Sequence, residues 1–380
     1  MHVANCTFDS ATRILPAARV LRFNHLPREN AMQPHKSCPD CGEDVEIGQV
    51  DRRQFLAAAS AAAAITVLPS ATHAADAAKP TTENLVPKLY ESLTSEQRSK
   101  ICFPWDFADK RGLLRTHVSN NWNITDAKSM NVGGDFYTKD QRDMIEAIFY
   151  SLYNPEWHGR LKQQLQDDAG GYGKQQTIAL FGEPGKGKFE FVMTGRHLTI
   201  RCDGNSADHV AFGGPIFYGH AAKSFDEAKD HPGNVYWPLA VKANSVYTML
   251  DGKQQKQALV KDAPHESEVA FRGKDGVFPG IPVSELSKDQ LENVKGVLSA
   301  ILEPYRTADQ EEARKCLDKQ GGLQKCSLAF YQYDDLGDDK VWDLWRLEGP
   351  SFVWHFRGAP HVHVWVNVAD DPSPVLNAAG

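Results

Sequence analysis

The segment His361-Val362-His363 is the best starting point for chemistry in this chain, because side chains two apart on a strand point the same way and can bring two imidazoles to one ion. Zinc and copper both favour imidazole nitrogen, and an open catalytic site takes three protein ligands and leaves a fourth position to water. A third ligand is therefore needed. His197 is the first choice and His220 the second, while His355 either joins the site or faces solvent. The plain alternative is that His361 and His363 hydrogen-bond within a polar patch. Arg201 reads as sharing a strand face with His197. A cation there repels a metal ion unless something anionic lies between them, so Arg201 points to a carboxylate, phosphate or sulfate substrate, or to an acidic side chain in that role. Trp365 shares the side of His361 and His363, and with the Trp-rich segment from Trp342 to Trp354 it would line a pocket for a small-molecule or polymeric ligand. Glu190, Asp203, Asp208, Glu348 and Asp370 are acid-base candidates that no spacing ranks.

The elements that must position these residues change period along the chain. Thr94-Ser95-Glu96-Gln97, Thr138-Lys139-Asp140-Gln141 and Ser287-Lys288-Asp289-Gln290 each fit a capping box, a helix start in which a hydroxyl accepts from the third helical N–H and a Gln reaches back. Met144, Ile145, Ile148, Phe149 and Leu152 follow the second at helical spacing, and Leu291, Val294, Val297, Leu298, Ile301 and Leu302 follow the third. Between them the period is two. Phe189, Phe191 and Met193 alternate with polar or smaller neighbours, Thr194-Gly195 reads as a bulge, and Leu198, Ile200 and Cys202 alternate with His197, Thr199 and Arg201. The C-terminal stretch reads as a β-hairpin: Phe352 to Phe356, a turn over 357–360, then His361 to Val366, with Val362, Val364 and Val366 on the core side. The expectation is an α+β fold whose helical N-terminal half packs on a mostly antiparallel sheet.

With 380 residues, 41% hydrophobic and 10% aromatic, the chain has apolar side chains for a well-buried core. Its net charge of -7 and lack of a basic, aromatic-interleaved track argue against nucleic acid. Gly182-Glu183-Pro184-Gly185-Lys186-Gly187-Lys188 imitates a phosphate-binding loop. Phe189 stands where a Ser or Thr must hold Mg²⁺, and a strand rather than a helix follows, so the segment reads as a tight turn. The apolar run Phe55 to Leu68 falls short of the roughly 20 residues a spanning helix needs, so no stable membrane span is expected.

That run has another reading. Arg52-Arg53 with Phe55-Leu56 precedes it, and Pro69 and the small residues up to Ala75 follow, the pattern of a twin-arginine export signal over 51–75. Residues 1–50 then form a long leader with Met32 as an alternative start, 76–84 a linker, and 85–378 one mature domain. The expected partners during export are the twin-arginine translocase and signal peptidase, and the expected location is periplasmic or extracellular. Cys38 and Cys41, with His35, have the spacing of half a zinc knuckle and fall in the leader. Cys316 and Cys326 flank a short polar loop that a disulfide would close in an oxidising compartment, and Cys202 reads as an inert buried thiol.

One resemblance spans nearly all of the mature part. Leu93-Thr94-Ser95-Glu96-Gln97-Arg98, Phe103-Pro104-Trp105-Asp106, Phe181-Gly182-Glu183-Pro184, Gly195-Arg196-His197-Leu198-Thr199, Gly214-Pro215-Ile216-Phe217-Tyr218-Gly219 and Arg346-Leu347-Glu348-Gly349-Pro350-Ser351-Phe352, followed by His361-Val362-His363, resemble in order and spacing the domain of unknown function 3500 (DUF3500) family. The resemblance implies that His197, His361 and His363 form one site, and it supplies no reaction. The chain departs from the family pattern at Arg196, where a second histidine is usual, and in the tail after Trp365. Two functions are expected to compete: a metal-dependent hydrolase or oxidoreductase built on one zinc or copper ion, and a non-catalytic secreted ligand-binding protein with a Trp-lined pocket.

Overall fold

The computed structural model describes residues 82–221, 233–333 and 339–379. The leader, the arginine pair, the half-knuckle and the first part of the linker lie outside them. The linker ends sooner than its composition implies, because a helix already begins at Thr82 and runs to Ser92.

The three capping boxes form as the sequence predicts, at the starts of helices Ser95–Ile101, Lys139–Ser151 and Lys288–Leu302. In each, the Gln side chain also leaves the cap for a neighbour. Gln97 donates to Gln141 at 2.8 Å and Gln290 donates to Gln254 at 2.8 Å, so helix starts are tied to one another as well as capped. The apolar stripes behind them are buried from Ile145 to Leu152 and from Val294 to Leu302.

The sheet has 11 strands and is mixed. Along its main path the order is Cys102–Phe103, Thr177–Gly182, Phe189–Gly195, Leu198–Cys202, Ile216–His220, Val362–Val368, Phe352–Arg357, Leu344–Gly349, Ser327–Tyr331 and Ile281–Pro282, with Leu259–Val260 paired to Ser327–Tyr331. Two pairings of short edge strands are parallel and all others antiparallel. The α+β expectation therefore stands.

The expectation of a helical N-terminal half does not fit the described chain. Trp237–Met249, Lys288–Leu302 and Thr307–Lys319 follow the central strands, and Thr177–Cys202 supplies strands before them. The reason is area: a sheet this wide has an apolar face longer than the N-terminal helices can cover, and exposed apolar face is costly at about 25 cal/mol per Å². Helices from both halves share that face, packing on Ile178, Met193, Ile200, Tyr218, Val364 and Trp354 among others. Short segments and irregular chain cover the opposite face, where Leu114 of the 3-10 turn Leu114–Thr116 and Ile124 meet Val192, and Val118 of the strand His117–Ser119 and Val269 meet Phe217 and Trp365.

The bulge expected at Thr194-Gly195 is absent. Strand Phe189–Gly195 pairs without interruption through Gly195↔Leu198, so Arg196 and His197 are the two residues of a tight hairpin turn. The C-terminal hairpin is present, with strands Phe352–Arg357 and Val362–Val368 in the middle of the sheet. Cys316 and Cys326 are separate buried thiols with no bridge between them. Burial pushes both up to about 12, so neither offers a thiolate near neutral pH. The glycine-lysine segment is the turn between strands Thr177–Gly182 and Phe189–Gly195, closed by Glu183 N–H donating to the Lys188 carbonyl at 2.8 Å. Among the described residues, no helix is long and apolar enough to cross a membrane.

Candidate metal centre

His363 lies within strand Val362–Val368, whose valines fill the helix-side core, so alternation turns His363 and Trp365 to the opposite face. His361 sits just before the strand. Its Nε2 stands 2.9 Å from Nε2 of His363. His197 arrives from elsewhere in the chain. It was expected on a strand and instead occupies the second position of the hairpin turn, with a left-handed backbone at φ 49°. A non-glycine residue in that region is uncommon and histidine is one of the types that tolerates it. The turn delivers Nε2 of His197 to 3.1 Å from Nε2 of His363.

Gly219 makes the approach possible. It is the cross-strand partner of His363, and its N–H donates to the His197 carbonyl at 3.2 Å. A Cβ at 219 would stand 2.3 Å from the Val362 carbonyl oxygen and 3.3 Å from the His197 ring. The imidazole of His197 takes the place a side chain would need.

All three rings are buried, at 1%, 0% and 0% exposure for His197, His361 and His363. Two of them are held from behind by carboxylates. Nδ1 of His197 is 2.7 Å from Oδ2 of Asp168, near the C-terminus of helix His158–Ala169, and Nδ1 of His363 is 2.9 Å from Oε2 of Glu266 in the irregular chain before Ile281. Each carboxylate also holds an arginine: Asp168 accepts from Arg196 Nε at 3.0 Å, and Glu266 lies 3.3 Å from Arg357 Nη1. Burial alone would raise the Asp168 carboxyl, but His197 and Arg196 outweigh it and hold it below the usual carboxylate range. Burial, with Arg357 nearby, depresses His363 well below an ordinary histidine, so its ring is neutral at neutral pH.

This arrangement settles the tautomers. A carboxylate only accepts, so His197 and His363 each donate from Nδ1, and in a neutral ring the lone pair is then on Nε2. Nε2 of the neutral His363 ring is thus an acceptor, 3.1 Å from Nε2 of His197. Three nitrogens bound tetrahedrally to zinc at its usual bond length stand about 3.3 Å apart, close to the separations found here. His197, His361 and His363 thus form a donor set that suits a small transition-metal ion.

The remaining residues singled out by sequence lie elsewhere. His220 pairs with Val362 and faces the helix side with Tyr218, away from the three rings. Arg201 is buried and fully engaged: it pairs with Glu190 at 3.1 Å, donates to the Pro215 and His117 carbonyls, and bonds the Arg115 carbonyl. Burial lowers Arg201 and raises Glu190, each against the pull of the other. Trp365 is on the histidine face, its ring 4.9 Å from that of Phe217, while Trp345 and Trp354 belong to the helix-side core. His355 faces the same side as Trp365, with Nδ1 3.1 Å from Arg346 Nε.

The carboxylates behind His197 and His363, Asp168 and Glu266, were not among the five acid-base candidates. Asp168 carried a readable signal, since Leu161 and Leu165 place it on the buried stripe of its helix beside Gln164. Glu266 carried none, because only the path of irregular chain across the sheet brings it to His363. No curated protein and no solved structure matches the chain. The family described as Protein of unknown function (DUF3500) matches residues 75–368, a span that includes all three histidines and both carboxylates, and the chain belongs to that family.

Proposed function

We propose that the protein holds one divalent transition-metal ion, zinc or copper, on Nε2 of His197, His361 and His363, and uses it as a metal-dependent hydrolase. The observation that carries this reading is the meeting of three Nε2 atoms from a hairpin turn, a loop and a strand, with two tautomers set by carboxylates. Three protein ligands leave a fourth tetrahedral position for water. Asp168 and Glu266 are each matched by an arginine, so an ion held here would supply positive charge able to favour hydroxide over water or to polarise a substrate oxygen. Trp345 and Trp354 lie in the helix-side core, away from the histidine face, which gives the competing Trp-lined pocket less support.

The proposal extends to location. Arg52-Arg53, the short apolar run and the small residues before Ala75 support export through the twin-arginine route to the periplasm or beyond. A folded substrate of that route would take its metal before leaving the cytoplasm. Metal analysis of untagged protein tests the centre: about one ion per chain is expected, with loss in the His361→Ala, His363→Ala double variant. Absence of metal after reconstitution with zinc and with copper would overturn it. Copper in place of zinc would move the reaction class to oxidoreductase.

A further inference from the structure

We infer that Arg346, His355 and Trp365 form a subsite for the carboxylate group of a ligand, on the same face of the sheet as the three metal-ligating histidines. Register makes them a row. Arg346 is the cross-strand partner of His355, and His355 of Trp365, while Trp365 is two residues beyond His363 on its strand. Side chains at such positions are neighbours on one face, with Cβ atoms about 5 Å apart across each pair. All three are buried, at 1%, 0% and 0% exposure.

Each ends in a buried nitrogen with no hydrogen-bond partner among the described residues: Nη2 of Arg346, Nε2 of His355 and Nε1 of Trp365. All three are donors. For Arg346 and Trp365 this is chemistry, and for His355 it follows from geometry. Its Nδ1 lies 3.1 Å from Nε of Arg346, a guanidinium only donates, and a neutral ring that accepts at Nδ1 carries its proton on Nε2. Buried N–H groups are expensive to leave unbonded, and three in one row call for oxygen acceptors.

Charge narrows the class. The bonds Arg346 makes go to neutral acceptors, the His355 ring and the Glu268 carbonyl at 2.9 Å. Glu348 is 3.8 Å away and bonds Arg272 at 2.8 Å instead. A buried guanidinium with an unused N–H end suits a carboxylate, which accepts charge-assisted bonds in its plane. Oε2 of Glu348, itself without a donor, sets a negative charge beside the row and disfavours a dianion such as phosphate. The subsite rests on the metal reading only for what would then happen to the ligand, since the row itself needs no ion.

Calorimetric titration of the full chain, stripped of metal, with acetate, acetamide and inorganic phosphate tests this. Saturable acetate binding is expected, with acetamide and phosphate weaker by about tenfold. Trp365→Phe keeps the ring and removes one donor, so acetate affinity is expected to fall about tenfold at an unchanged Tm. Arg346→Lys, which keeps the charge and loses the fork, is expected to weaken acetate at least as much. Equal binding of acetate and acetamide, acetate affinity unmoved in Trp365→Phe, or acetate binding only to metal-loaded protein would each overturn the subsite. Acetate binding that survives in protein unable to take metal would leave the subsite standing and the metal reading refuted.

Discussion

Among the described residues two clusters have the donors to hold a cation, and they are built differently. His197, His361 and His363 are buried, two of them carry carboxylates behind the ring, and Nε2 of His363 lies 2.9 Å from that of His361 and 3.1 Å from that of His197. His209, Asp370 and Asp371 are at the surface and satisfy themselves: Nδ1 of His209 is 2.8 Å from Asp370, whose other oxygen takes Lys319 at 2.5 Å. In the surface cluster opposite charges already neutralise one another, and water screens what is left. In the buried cluster, burial with Arg357 nearby depresses His363 well below an ordinary histidine. Donor type and spacing do not make a metal site. Burial and rings aimed from behind by carboxylates set the inner cluster apart.

The comparison can be broken most severely at the ligands. Against the loss of metal expected in the His361→Ala, His363→Ala double variant, His209→Ala should leave metal content unchanged, as read by mass spectrometry of the metal. Equal loss in both would show that the surface cluster is the binding site. Next in size are the supports. Asp168→Asn and Glu266→Gln keep the shape but lose the anion, and each is expected to weaken metal binding by about 10- to 100-fold in competition with a chelating dye. Gly219→Ala probes packing beside the centre without replacing a ligand. The new methyl meets the Val362 carbonyl and the His197 ring, and urea unfolding should show a loss of about 1–3 kcal/mol.

The smallest effect belongs to the surface cluster and is seen in pH. The hydrogen bond to Asp370 raises His209, so its contribution is full below the unfolded histidine value and is lost as pH rises through the raised one. Burial works against Asp370, but bonds from Lys319 and His209 hold it below the usual range, so its contribution is present above the unfolded carboxylate value and lost on acidification through the lowered one. Together they stabilise most between about pH 4 and pH 6.5. His209→Ala should flatten the Tm profile slightly at both margins of that window. A steep change there would mean that the cluster matters more than its exposure allows.

How far the fold could be read in advance depended on the range of the forces involved. Capping boxes are contained within four residues, and all three formed where Thr94, Thr138 and Ser287 mark them. The face shared by His363 and Trp365 follows from strand alternation and was equally plain. His197 does lie beside His363, but in a turn and not on the strand that the reading expects, because a two-residue turn continues the apolar alternation on either side of it. His220 failed as a reserve ligand for a related reason: it shares the parity of Tyr218, and that parity faces the helices.

The sequence by itself determined the periodic elements, their caps, the pairing of two imidazoles two residues apart and the family to which the chain belongs. These rest on local geometry, where residue type and spacing are enough. Only the tertiary structure decided that Asp168, at the end of a helix, and Glu266, on irregular chain, stand behind the rings, and that Arg201 is taken by Glu190. Those partners are tens of residues apart along the chain, and short-range hydrogen bonds between them exist only after burial of the sheet's apolar faces has fixed where each segment runs.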